Sequence, residues 1–147
     1  MEKNSLNIRN TSNGQEVFDP VRKKYVALTP EELVRQNTVL YLVNTKNYPL
    51  NLMRVEVGMK LNDMQKRCDI LIYNRNLSPL LIVECKAESV KISQDIFSQL
   101  SRYNLVFKVP YLIATNGKNT YCCKINFEKQ SYEFLKEIPS FEELINI

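Results

Sequence analysis

Two apolar runs, RCDILIYN (67–74) and PLLIVECK (79–86), lie four residues apart, and each carries charge where a buried strand should have none. Side chains of a strand alternate between faces, and a connection as short as Arg75–Ser78 suits a hairpin. If Asn74 pairs with Pro79, counting back along both strands sets Asp69 opposite Glu84. That register puts Asp69, Leu71, Tyr73, Leu80, Ile82, Glu84 and Lys86 on one face. It leaves Cys68, Ile70, Ile72, Leu81, Val83 and Cys85 on the other. Both faces are apolar except at one end, the pattern of a sheet covered on both sides. A loop one residue longer or shorter would move Asp69 off its partner.

The rest of the chain supplies elements to cover such a sheet. Residues 1–15 are polar and aperiodic and are expected to be a flexible arm, with residues 16–147 forming a single domain. Asp19-Pro20 marks a turn before a short strand over 22–28. Thr29-Pro30-Glu31-Glu32 then has the cap, the first-turn proline and the acid three residues on that start a helix. This helix is expected to run to about Lys46, with Leu33, Asn37, Leu40, Tyr41 and Asn44 on one stripe. Met53, Val55, Val57 and Met59 alternate with polar residues or glycine, the period of a strand, and Asn62-Asp63 turns it into the hairpin. Ile92, Ile96, Leu100, Tyr103 and Phe107 recur at helical spacing, with Gln99 in the same stripe. Two strands joined by Asn116-Gly117, a short strand over 132–135 and a helix capped by Ser140 with Glu143 complete the order. With 44% hydrophobic residues and only 3 glycines in 147, the chain has the makings of an ordinary core.

Composition narrows the chemistry more than the fold. The chain has no histidine and its 4 cysteines contain no C-x-x-C, which excludes the usual zinc sets and histidine-dependent triads. A cysteine enzyme using Cys122 or Cys123 would lack a histidine base. The net charge of +4 is compatible with a phosphate-bearing partner without requiring one. No apolar stretch approaches a membrane span and the polar start lacks a signal-peptide core, so a cytoplasmic protein with no membrane partner is expected.

Carboxylates therefore carry the sharpest reading. Directly opposed side chains in an antiparallel pair have Cβ atoms about 4.5–5.5 Å apart, and like charges there are destabilising. A divalent cation would remove the repulsion between Asp69 and Glu84, because Mg²⁺ is held by one or two carboxylates plus water and phosphate. Lys86, further along that face, would then hold a phosphate oxygen or the attacking water. The plain alternative is a surface Asp, Glu and Lys at a solvated strand end. Arg54, Lys60 and Lys66 are further candidates for phosphate contact, with solvated surface the simpler account of each.

Asp69, a strand, then Glu84-Cys85-Lys86 resembles the D…E-x-K signature of PD-(D/E)xK nucleases, and Gln99-Leu-Ser-Arg-Tyr103 resembles the QxxxY motif of their RecB-like branch. More narrowly, the stretch from Phe18 to Pro139 is similar to the N-terminal domain of type I restriction enzyme R subunits in a short standalone form. FDPVRKKYVALTPEE, KRCDILIY, LIVECKA and YLIATNG carry that likeness. The resemblance implies an α/β fold, a three-layer α/β/α sandwich around a mixed sheet with an αβββαβ core. It implies Mg²⁺-dependent hydrolysis of DNA, with Mn²⁺ as a substitute. Asp69 and Glu84 would be metal ligands, Lys86 the catalytic lysine, and Gln99 and Tyr103 would position site and DNA. Glu32 matches an additional acidic ligand, although a capping role explains it equally well; Glu31 adjoins it and Glu56 is a less favoured alternative. No G-x-x-x-x-G-K-[ST] stretch occurs, so translocation would need a separate restriction or helicase partner. A homodimer would suit double-strand cleavage, though no residue marks an interface. QKRC stands where that family usually has a glycine, a few residues before the aspartate. The competing function is a non-catalytic nucleic-acid- or protein-binding module that keeps the nuclease fold.

Overall fold

The computed structural model describes residues 5–146. It begins with an antiparallel three-stranded sheet of β1 (Ile8–Thr11), β2 (Gly14–Asp19) and β3 (Lys24–Ala27). This corrects the flexible arm for residues 8–15, since Ile8 pairs with Val17 and Thr11 with Gly14; Met1–Asn4 lie outside the described residues. Polarity misled because β1 is exposed along its whole length and pairs through its backbone and the Arg9–Glu16 ion pair rather than through apolar burial. Asp19 makes the turn into β3, its Oδ1 accepting from the backbone N–H groups of Val21 and Arg22 at 2.8 and 3.1 Å.

Helix α1 (Pro30–Asn44) starts where expected, with the Thr29 hydroxyl accepting from the Glu32 N–H at 3.0 Å. Its inward face differs from the expected stripe. Leu33 and Tyr41 are exposed, whereas Glu32, Val34, Arg35, Gln36, Val39 and Leu42 are buried. Apolar periodicity failed because half of the buried face is polar and paired, which a hydrophobic count does not see.

After a 3₁₀ turn at Leu50–Leu52 come β4 (Met53–Leu61), β5 (Met64–Tyr73) and β6 (Pro79–Cys85), followed by α2 (Gln94–Phe107) and β7 (Tyr111–Thr115). The chain ends in β8 (Thr120–Asn126), β9 (Ser131–Leu135) and α3 (Phe141–Ile145). The six later strands form one mixed sheet in sequential order, antiparallel throughout except for β6 and β7, which run parallel through α2. Val34, Val39 and Leu42 of α1 pack with Ile70, Ile72, Leu81 and Val83 on one face, together with Phe141 and Leu144 of α3. Phe97 and Leu100 of α2 pack with Leu71, Ile82 and Leu112 on the other. This is the three-layer α/β/α sandwich around a mixed sheet.

The register expected for the central hairpin holds through its body, with Ile70 opposite Val83 and Leu71 opposite Ile82. A bulge between Ile72 and Tyr73 places Tyr73 opposite Pro79 and turns Leu80 toward the α1 side. A second irregularity lies between β4 and β5. The ladder pairs Val55 with Ile70 and Val57 with Cys68, and between them Glu56 takes a left-handed φ of 56°. Val55 and Ile70 face α1, whereas Val57 and Cys68 face α2. Cys68 therefore joins the opposite core from Ile70, contrary to simple alternation, because the break at Glu56 re-aims the strands. Beyond it β4 and β5 continue as a ribbon, from Gly58 opposite Arg67 to Leu61 opposite Met64, past the last β5–β6 pair.

Candidate active site

Asp69 stands at the break between the two faces, and its two oxygens go different ways. Oδ2 accepts the Cys85 N–H at 2.7 Å, fixing β5 to β6 beside Glu84. Oδ1 lies 3.3 Å from Arg35 Nη2 on α1. One register step beyond Val83, Glu84 is buried at 4% exposure, close enough to Asp69 for the two carboxyls to perturb each other. Burial pushes the Glu84 carboxyl up to about 8; the Lys66 ammonium opposes the rise and the Asp69 charge adds to it. Lys66 Nζ sits 2.6 Å from Glu84 Oε1, yet the contact lacks hydrogen-bond alignment, so this buried oxygen accepts no hydrogen bond. The Lys66 ammonium also lies over the Tyr103 ring, 5.2 Å from its centroid.

Glu32 is not part of that pair. Its Oε1 accepts from Arg22 Nη2 at 2.9 Å and Arg35 Nη1 at 3.0 Å, and its Oε2 accepts from Gln36 Nε2 at 3.1 Å. The helix-capping role is only half made, because the carboxylate turns to these partners rather than back to the cap. Arg35 is interposed between Glu32 and Asp69 and bonds Glu56 Oε1 at 2.6 Å as well, leaving only its buried Nε without a partner. Burial would depress the Arg35 charge, but the three carboxylates hold its pKa above the usual value. Burial alone would raise Glu56, while hydrogen bonds and charge from Arg67 and Arg35 keep it below the usual carboxylate range.

Lys86 is half-buried just past β6, its backbone N–H donating to Thr115 O at 2.9 Å. Among the described residues its ammonium makes no ion pair or hydrogen bond. Tyr103 is half-buried and reaches the site through Lys66, whereas Gln99, one turn earlier, is exposed. The stripe that gathered Gln99 with Leu100 and Tyr103 therefore overstated its burial; as an exposed amide it finds its partners in water. The four thiols are buried, and desolvation raises those of Cys68, Cys122 and Cys123 to about 12, which suits core residues rather than nucleophiles.

The sequence passes over Arg35 entirely and offers Lys66 only as a candidate phosphate contact, not as a partner of Glu84. A signal existed for Lys66, which alternates with Met64 and Cys68 on a face whose other members are apolar. Arg35 carried none, since its three partners come from positions 32, 56 and 69 and meet only in the fold.

The donor set suits a hard cation in part. Asp69 and Glu84 offer carboxylate oxygens, but both Asp69 oxygens are already engaged, by Arg35 and the Cys85 N–H, and only Glu84 brings a buried oxygen without a hydrogen bond. Glu32 does not fit as a third ligand while both its oxygens are committed. Among the described residues no group of three His, Cys, Asp or Glu side chains is arranged to hold a metal.

An α/β/α sandwich around a six-stranded mixed sheet is the architecture of an α/β nuclease-like fold. Residues 30–139 match the family described as type I restriction enzyme R protein N terminus, and the chain belongs to that family. Among solved structures it resembles a fragment assigned as an HsdR subunit of a type I restriction enzyme from Vibrio vulnificus YJ016. The TM-score is 0.56 at 19% identity, over 82% of this chain and 25% of that one. The chain thus spans about a quarter of that relative. No curated protein matches the sequence. No helix among the described residues is long and apolar enough to cross a membrane.

Proposed function

We propose that the domain is a metal-dependent deoxyribonuclease whose acid pair, Asp69 and Glu84, holds Mg²⁺ or Mn²⁺ beside Lys86. The observation that carries this reading is the adjacency of two carboxylates, one of them buried and raised to about 8, beside the break between β4 and β5 at Glu56. Such a pair is costly unless a cation or a proton relieves it. When bound, the metal would lower the pKa of a water and offset charge on the scissile phosphate. Lys86, whose ammonium has no ion pair or hydrogen bond among the described residues, is free to stabilise charge developing on the phosphate oxygens. Tyr103 holds the Lys66 side of the site, and Gln99, exposed one turn away, is a candidate DNA contact. Membership of the R-protein family supports DNA as substrate and a restriction complex as the setting.

A second reading has its own observation. Arg35 and Lys66 already neutralise Asp69 and Glu84 with no metal, which is what a binding platform on a nuclease fold would need. Incubation with linear, supercoiled and single-stranded DNA in Mg²⁺ or Mn²⁺ separates the two. Cleavage by wild type that Lys86→Ala abolishes, with melting temperature unchanged, is the expected result. Equal behaviour of the two proteins on every substrate would leave only the platform.

A further inference from the structure

We infer that Lys66 is a tethered counter-ion that a divalent cation must displace from Glu84, so the β4–β5 ribbon sets how tightly the acid pair takes metal. This rests on reading Asp69 and Glu84 as the ligands. The Lys66 side chain is only 14% exposed and its Nζ lies 2.6 Å from Glu84 Oε1, a buried oxygen with no aligned hydrogen bond. An ammonium and a hard dication cannot share that oxygen, because two like charges at contact distance repel strongly in a partly desolvated site. The alternation of the ribbon explains how lysine arrives there. Met59 and Lys66 are paired across it, and Met59 packs toward the α2 core, so the Lys66 stem is drawn inward with it. The pairing with Met59 lies beyond the last β5–β6 pair, so Lys66 can withdraw by moving a two-stranded ribbon rather than the sheet. Arg35 cannot withdraw in the same way, being held by Glu32, Glu56 and Asp69 together.

Two measurements test this. Calorimetric titration with Mg²⁺ at pH 8.5 compares wild type and two variants under one condition. There Lys66→Met should bind about tenfold tighter than wild type, and Lys66→Arg should match wild type. In the wild-type chain, Mg²⁺ should raise acetylation of Lys66 by acetic anhydride several-fold, read by mass spectrometry. Lys60, exposed on the opposite face of the same ribbon, serves as the unchanged control. Unchanged labelling of Lys66 at saturating Mg²⁺, or equal or weaker binding by a folded Lys66→Met protein, overturns the inference and leaves the acid pair as ligands. Absence of Mg²⁺ uptake by all three proteins overturns the metal reading itself, and this inference with it.

Discussion

On the α1 side of Asp69, Arg35 meets three carboxylates, and Arg22, Gln36 and Arg67 complete a network reaching from Asp19 to the ribbon. On the α2 side Glu84 meets one ammonium, without an aligned hydrogen bond, and its carboxyl is raised rather than lowered. Both clusters gather beside the break between β4 and β5, each around a buried charge, Arg35 in one and Glu84 in the other. The first is closed, with each carboxylate answered by at least one guanidinium, and it suits a structural role. The second is left short of partners. Carboxylates in low dielectric are tolerated when every lone pair is answered and become reactive toward cations when they are not.

The comparison breaks most decisively at Arg35. Arg35→Met would leave Asp69 without its guanidinium and Glu32 with only Arg22 and the Gln36 amide, and should cost about 3–5 kcal/mol, read from urea unfolding. A loss below about 1 kcal/mol would mean that the closed cluster contributes no more than an exposed pair. Glu84 should behave in the opposite sense as pH changes. Its folded value of about 8 lies above the ordinary 4.5, so between these values the folded state holds a proton that the unfolded chain has lost. Its contribution is therefore favourable below pH 4.5 and is lost as pH rises toward 8, by at most about 1.4 kcal/mol per pH unit. Glu84→Gln removes this slope, so unfolding curves taken across the range should show the variant gaining on wild type as pH increases. The smallest effect sharpens the scale. Lys118 and Glu88 form an ion pair with both side chains more than 60% exposed, and Lys118→Ala should shift stability by no more than about 0.5 kcal/mol.

What the sequence makes legible follows from where the physics is local. Caps at Thr29 and Ser140, the Asn116-Gly117 turn and the hairpin register depend on residues close in the chain, and the order of elements could be read from them. The adjacency of Asp69 and Glu84 was legible for the same reason, being a count along two strands joined by a short loop. The inward face of α1 was not, because Glu32, Arg35 and Gln36 are buried by partners from other elements. Nor was the change of face at Cys68, which depends on a left-handed Glu56 that no glycine announces. Residues 8–11 look unstructured in sequence because their pairing is carried by backbone groups that every residue owns.

The Asp19–Arg22–Glu32 bridge bears on how the domain can be trimmed. The family match opens at residue 30, eight positions after Arg22. A fragment cut to that boundary would discard the salt link that ties the small N-terminal sheet to the first turn of α1, stranding a buried acid on one remaining guanidinium. The smallest piece that folds as described here is thus larger than the span by which its kinship is recognised.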